Sequence, residues 1–310
     1  MRGHIPGLIV RAHSGFFSVE TEAGIVTCQL RGRLKRQRRD TDIIALGDRV
    51  EILALPDGTG AIEEILPRSR VLSRRAAGGG SRGDLGSRRG KEQILVANPD
   101  QAVFVFACAE PEPHLRMLDR FLVAAGRAGI PAAVCANKID LTDLAQREGL
   151  FGPYRAIGYP VLFTSARTGA GIPELRDFLR GKLNVFSGPS GTGKSSLLNA
   201  IQPGLALRVS CISDTHQKGR HTTVTPELVP LAEGGYVADT PGLRAIAFWD
   251  IAPEELDAYF PEINPLVGKC AFGDCTHEKT PGCAVVRAVE EGKVSPQRYD
   301  SYLRLRRGET

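Results

Sequence analysis

NVFSGPSGTGKSSLLNAI, residues 184–201, carries the string GxxxxGKS between an apolar run and a helix-like one. Gly188, Gly191 and Gly193 let the backbone turn its N–H groups toward a phosphate chain, with Pro189, Ser190 and Thr192 shaping the loop between them. Lys194 supplies charge to the terminal phosphates and the Ser195 hydroxyl can ligate magnesium. Ser196 follows in a first helical turn whose positive dipole favours anions. A strand before the loop and a helix after it predict an α/β domain. The loop specifies phosphate and leaves the base open, since an ATPase, a GTPase or a kinase can each use it.

Upstream, apolar runs alternate with helical stretches: QAVFVFACA, LRMLDRFLVAAGRAG, IPAAVCANKID, PVLFTSA and GIPELRDFLRGKL. Strands rich in Val, Phe and Ala that do not alternate are those buried on both faces of a parallel sheet. The expectation is a doubly wound domain over residues 94–249. Within it, ANKID follows a strand and places Asn137, Lys138 and Asp140 at its end. A carboxylate such as Asp140 can accept both the N1–H and the 2-amino hydrogens of guanine. Adenine would leave that charge unpaired, at a cost of about 1–3 kcal/mol or more. Asn137 can bond the purine edge or brace the loops, and the Lys138 stem can lie over the ring. Ser165 and Ala166, in TSA after the next strand, would offer the Ala166 N–H to guanine O6.

Downstream, DTPG after the strand YVA suits a metal-side turn, with Asp239 holding a magnesium-bound water and the Gly242 N–H meeting the γ-phosphate. Leu243 stands where many GTPases place a water-orienting glutamine, so another group must do that work. Between the loops lies GRHTTVTPE (219–227), polar and without apolar period. Thr222 or Thr223 can close over magnesium and the γ-phosphate, and His221 is the nearest group able to orient or deprotonate water.

Residues 1–67 contain five alternating segments, GLIVRAH, GFFSVET, GIVTCQL, LGDRVEILAL and GAIEEIL, punctuated by Gly and Asp-Gly. The pattern predicts a small OB-type β-barrel, and an SH3-like barrel fits it too. Residues 68–93, rich in Gly, Ser and Arg, read as a basic flexible linker. Near the C-terminus, Cys270, Cys275, His277 and Cys283 form CxxxxCxHxxxxxC within fourteen residues, a closed tetrahedral set suited to one structural zinc. Ser295 and Pro296 then start a helix ending in basic residues, completing a zinc-binding α-helical module over 250–310.

The net charge of +5 is unevenly spread: residues 31–39 carry +6 and residues 68–91 carry +7, leaving −8 for the rest. Two basic blocks beside a nucleotide site favour a nucleic-acid partner. Cys28, Cys108, Cys135 and Cys211 lie singly in apolar runs and read as small buried hydrophobes rather than disulfide partners. No run reaches the roughly 18 apolar residues of a membrane span, and the N-terminus lacks a signal-peptide core. A cytoplasmic protein without membrane association is expected.

The order of motifs is ANKID, TSA, GPSGTGKS, HTT and DTPG, whereas ordinary GTPases run from phosphate loop to base motif. With the barrel before and the Cys, Cys, His, Cys set after, the chain resembles the ribosome small subunit-dependent GTPase A family, circularly permuted GTPases of ribosome assembly. The resemblance implies a circularly permuted P-loop GTPase fold and hydrolysis of GTP to GDP with Mg2+. It implies a switch in late maturation of the small (30S) ribosomal subunit, stimulated by that particle. Barrel and zinc module would grip ribosomal RNA, His221 would orient the hydrolytic water, and the free protein would be a monomer. Two other readings compete: a P-loop kinase for a nucleotide or metabolite, and an RNA-binding scaffold with a structural nucleotide site.

Overall fold

The computed structural model describes residues 4–35, 43–75, 92–205, 227–238, 251–278 and 280–309. The chain packs as two compact units, the first made of residues 1–102, 172–187 and 194–247, the second of residues 103–171, 188–193 and 248–310. Helix α2 shares its core with the C-terminal segment in the second unit, as described below.

In the first unit, β1 (Ile5–His13), β2 (Phe16–Thr21), β3 (Gly24–Leu30), β4 (Arg49–Ala54) and β5 (Gly60–Ile65) close a barrel in the order β1-β2-β3-β5-β4. The short helix α1 (Gly32–Lys35) follows β3. Strands β3 and β5 pair in parallel, with Cys28 opposite Gly60, while the other barrel pairs are antiparallel. This resolves the choice of barrel in favour of the OB type. Ile9, Val19, Val50, Ile52 and Ile62 fill the interior, as the period-two alternation requires.

The expected linker contributes structure at both ends. Val71–Arg75 (β6) pairs antiparallel with Glu92–Ala97 (β7), and Leu72, Ile94 and Val96 are buried. Short apolar stretches flank the Gly-rich centre, and burying them offsets the entropy of ordering both strands. Residues 76–91 lie outside the described residues.

The first unit also holds α4 (Ile172–Leu179), β11 (Leu183–Ser187), α5 (Lys194–Ile201), β12 (Leu228–Pro230) and β13 (Tyr236–Ala238). Strand β13 lies between β11 and β12, parallel to the former and antiparallel to the latter. Buried Asn184 ties this layer together. Its Nδ2 donates to the carbonyls of Leu179, Lys182 and Tyr236 at 2.9, 2.9 and 3.1 Å, and its Oδ1 accepts from Gln101 at 2.7 Å.

In the second unit, β8 (Gln101–Ala107, from Val103 on), β9 (Ala132–Asn137) and β10 (Val161–Phe163) lie in the order β10-β9-β8, with β9 and β10 parallel. Helices α2 (Leu115–Arg127) and α3 (Leu144–Ala156) accompany them. Every residue of β8 is buried, as its unbroken apolar run predicts. Asp143 and Gln146 cap α3 reciprocally at 2.8 and 3.1 Å. The C-terminal segment adds 3-10 turns at Pro253–Tyr259 and Asn264–Leu266, then α6 (Ala284–Glu290) and α7 (Pro296–Arg306), which starts at the expected Ser295-Pro296. Val123 of α2 packs with Leu256, Phe260, Ile263, Val285 and Tyr302 in one buried cluster. No helix among the described residues is long and apolar enough to cross a membrane.

Candidate nucleotide site and metal-binding cluster

Asn137 ends β9 fully buried, and its side chain joins three of the sequence motifs. Nδ2 donates to the Thr192 carbonyl at 2.9 Å, while Oδ1 accepts from Thr164 Oγ1 at 3.2 Å and from the Ala166 N–H at 3.3 Å. Of the two roles open to Asn137 in the sequence, the geometry displays the brace. The Ala166 N–H expected to meet guanine is directed at Asn137 here.

Lys138 adopts a left-handed conformation (φ 63°), which swings the chain sharply out of the strand. Its Nζ donates to the Glu110 carbonyl in the loop after β8. Asp140 follows in the 3-10 turn Ile139–Leu141. One of its oxygens accepts from Ser165 Oγ at 2.5 Å, and the other lies 2.9 Å from Arg167 Nε. The Ser165 hydrogen bond, ahead of the Arg167 charge, holds this carboxyl below its ordinary range, so it is ionised at neutral pH. ANKID and TSA therefore converge on one anionic acceptor. Arg167, Glu110 and Pro111 were not singled out in the sequence; Arg167 directly follows TSA, whereas nothing local marks the other two.

The loop Gly188–Gly193 lies in the same unit. A Cβ on Gly188 would come 2.1 Å from the Val105 carbonyl, and one on Gly193 would come 2.3 Å from Asn137 Nδ2. Both positions also have positive φ, so glycine is required twice over. Thr192 Oγ1 donates to the Pro189 carbonyl at 3.0 Å, Ser190 and Gly191 are exposed, and Gly191 faces Pro111. In the first unit, Lys194 opens α5, and Ser195 and Ser196 stand exposed on its first turn. His221, Thr222, Thr223, Asp239 and Gly242 lie outside the described residues.

The four C-terminal ligand candidates come together. The Cys270, Cys275 and Cys283 sulfurs and a ring nitrogen of His277 lie within 4.8 Å of one another. His277 Nδ1 is 3.5 Å from the sulfurs of both Cys270 and Cys283, which are 3.9 Å apart. A tetrahedral cation with metal–sulfur bonds of about 2.3 Å and metal–nitrogen bonds of about 2.0 Å sets these edges at about 3.8 and 3.5 Å. The donor set thus fits such an ion, and backbone N–H groups of Ala284 and Val286 point at Cys270 and Cys283 as thiolates require. Cys28, Cys108 and Cys135 are buried free thiols, and burial pushes Cys108 up to about 11 and Cys135 up to about 12.

Phosphate loop, base motif and flanking barrel define a P-loop GTPase in circularly permuted order, with a Cys3His module after it. The family model of the RsgA GTPase matches residues 65–249, and that of the RsgA N-terminal domain matches residues 6–62. The chain belongs to the RsgA GTPase family and is a GTP hydrolase, which sets aside the kinase reading. The small ribosomal subunit biogenesis GTPase RsgA of Gemmatimonas aurantiaca is 47% identical over 303 residues, covering 97% of this chain and 96% of that one. The protein of the same name from Moorella thermoacetica is 46% identical over 297 residues, covering 96% and 94%. Among solved structures, YjeQ from Thermotoga maritima aligns at TM-score 0.79 and 36% identity over 99% of this chain and 98% of its own. YloQ, described as a circularly permuted GTPase, aligns at TM-score 0.75 and 31% identity over 99% and 95%.

Proposed function

We propose that this GTPase is a switch in late maturation of the small ribosomal subunit, with GTP hydrolysis stimulated by that particle. The observation that carries the reading is the 47% identity, across nearly the full length of both chains, to a GTPase named for small ribosomal subunit biogenesis. Gly188–Ser196 cradles the phosphates, with Lys194 on the terminal ones. Asp140 selects guanine, Lys138 lies over the ring, and Ala166 N–H serves O6. Asn137 keeps its bracing role, holding the phosphate loop against the base motif through Thr192. Magnesium is held by Ser195, by Thr222 or Thr223, and through water by Asp239, while Gly242 contacts the γ-phosphate and His221 orients water.

Cys270, Cys275, His277 and Cys283 hold one structural zinc. With no open ligand position, it staples the C-terminal module and takes no part in hydrolysis. Barrel and zinc module bind ribosomal RNA, helped by the basic stretches, and the free protein is monomeric in the cytoplasm. The test is steady-state GTP turnover with and without purified small subunits. Stimulation is expected, and Lys194→Ala should abolish turnover in both conditions. Equal turnover with and without subunits would overturn the coupling, and displacement of bound GDP by ATP as readily as by GTP would overturn the base assignment.

A further inference from the structure

We propose that Asp257 is the positioning residue of the metal site, accepting the Nε2 hydrogen of His277 and so directing its other ring nitrogen to the ion. The proposal rests on the zinc reading above. His277 is almost wholly buried, and its two nitrogens face different chemistry. Nδ1 looks toward the Cys270 and Cys283 sulfurs, whereas Nε2 lies 3.5 Å from Asp257 Oδ2. A carboxylate is an acceptor only, so these partners assign the hydrogen to Nε2 and leave the Nδ1 lone pair for a cation. A ligating histidine generally passes its second N–H to a carboxylate or carbonyl, which fixes the ring and raises its basicity.

Asp257 is itself held in place. Its Oδ1 accepts from the Tyr302 hydroxyl at 2.6 Å and from Arg306 at 3.2 Å, both on α7. The His277 backbone is equally fixed, in a left-handed conformation (φ 62°) with its carbonyl accepting from Tyr299 at 2.5 Å. The imidazole is thus gripped between the 3-10 turn Pro253–Tyr259 and α7, two elements that contribute no metal ligand. The outer support of the ion is the framework that joins the C-terminal helix to the rest of its module.

The test uses the full-length protein as purified with its metal. Elemental analysis of the unaltered chain must first give one zinc per molecule; a value near zero would remove the zinc reading itself, separately from the role of Asp257. Zinc transfer to the chromogenic chelator 4-(2-pyridylazo)resorcinol is then compared between variants. Asp257→Ala should lower zinc affinity by about 10–100-fold. Asp257→Asn, whose single amide oxygen must choose between the imidazole hydrogen and the Tyr302 and Arg306 donors, should recover part of that loss. Tyr302→Phe leaves the carboxylate facing His277 and should change affinity less than threefold. Affinity unchanged in Asp257→Ala, or an equal loss in Asp257→Asn and Tyr302→Phe, would overturn the proposal, since the latter pattern belongs to general loosening of the module.

Discussion

In the second unit, the C-terminal module is fastened to α2 by a buried ion cluster, against which Tyr154 of α3 packs. Arg298 reaches Asp119 at 2.6 Å and Glu262 at 2.7 and 3.1 Å, with side-chain exposures of 3%, 0% and 4%. Its guanidinium lies 4.6 Å from the Phe260 ring and 5.4 Å from the Tyr154 ring, and Tyr154 donates to Asp119 at 2.8 Å. In the first unit, the barrel is held to β7 by neutral hydrogen bonds and a small apolar cluster of Ala45, Val71, Ile94 and Ala97. Ala97 N–H donates to the Leu46 carbonyl at 2.7 Å, and the Asn98 side-chain amide Nδ2 donates to the Gly47 carbonyl at 3.0 Å. A pair of Arg11 with Glu227, isolated in sequence and half exposed, joins the barrel to the start of β12. A buried ion cluster is all-or-none, because removing one member strands the others; neutral hydrogen bonds and exposed pairs yield piecemeal. The module behind the base motif is therefore built as a fixed part of its half, and the barrel carries the adjustable contact.

The largest effect should follow from opening the buried cluster. Arg298→Ala leaves two carboxylates without their cation and should cost about 3–5 kcal/mol of unfolding free energy by denaturant titration. Burial already pushes the Asp119 carboxyl up from its ordinary value, and the Arg298 charge opposes that rise. Without Arg298 the rise grows. The penalty is then largest where the carboxyl is charged and shrinks as pH falls toward the ordinary carboxylate range near about 4. A deficit constant with pH would show that lost packing, not stranded charge, dominates. Joint replacement by Asp119→Leu, Glu262→Met and Arg298→Met should cost far less than the single change.

Asp48 of the barrel provides the intermediate case. It is fully buried and accepts from Arg68 at 2.7 Å on both oxygens and from the Ala45 N–H at 2.7 Å, but the Arg68 side chain is 14% exposed. Asp48→Ala should cost about 2–3 kcal/mol, less than Arg298→Ala because Arg68 can turn to water. A larger loss here than at Arg298 would invert the comparison. Tyr154→Phe removes one hydrogen bond to Asp119 while keeping the ring against Arg298, and should cost about 1.5 kcal/mol in the same titration.

What the sequence revealed divides along the same line. The barrel strands, the phosphate loop and ANKID were legible because their signals are local: alternation for Ile9, Val50 and Ile62, glycines where Gly188 and Gly193 meet other atoms, and a polar run closing an apolar strand. The β6–β7 hairpin was hidden because Val71 and Leu72 are few beside the Gly-rich centre that follows. Asp119 sits in LDRFLV, where its charge beside that of Arg120 reads as a solvent face, and its partner Arg298 is 179 positions away. Asp257 lies on a turn with no metal-ligand spacing to His277. Long-range pairs of ordinary surface residue types leave no periodic trace, so three-dimensional placement had to reveal them.

The smallest expected effect tests the adjustable joint. Arg11 Nε donates to Glu227 at 2.9 Å, and its Nη2 bonds the same oxygen, yet the side chains are 51% and 25% exposed. Such a pair is worth about 0.2–1 kcal/mol and weakens with salt. Glu227 closes the GRHTTVTPE stretch that carries His221, Thr222 and Thr223, so on the switch reading proposed above it is where a nucleotide-dependent change would reach the barrel. A double-mutant cycle of Arg11→Ala and Glu227→Ala should give a coupling energy within that range with GDP, and a measurably different one with a non-hydrolysable GTP analogue. A coupling of this size can be made and broken at little cost, whereas a cluster costing several kcal/mol to open cannot. Identical coupling with the two nucleotides would make this joint as fixed as the one at Arg298, and the contrast between the two halves would then lie only in strength.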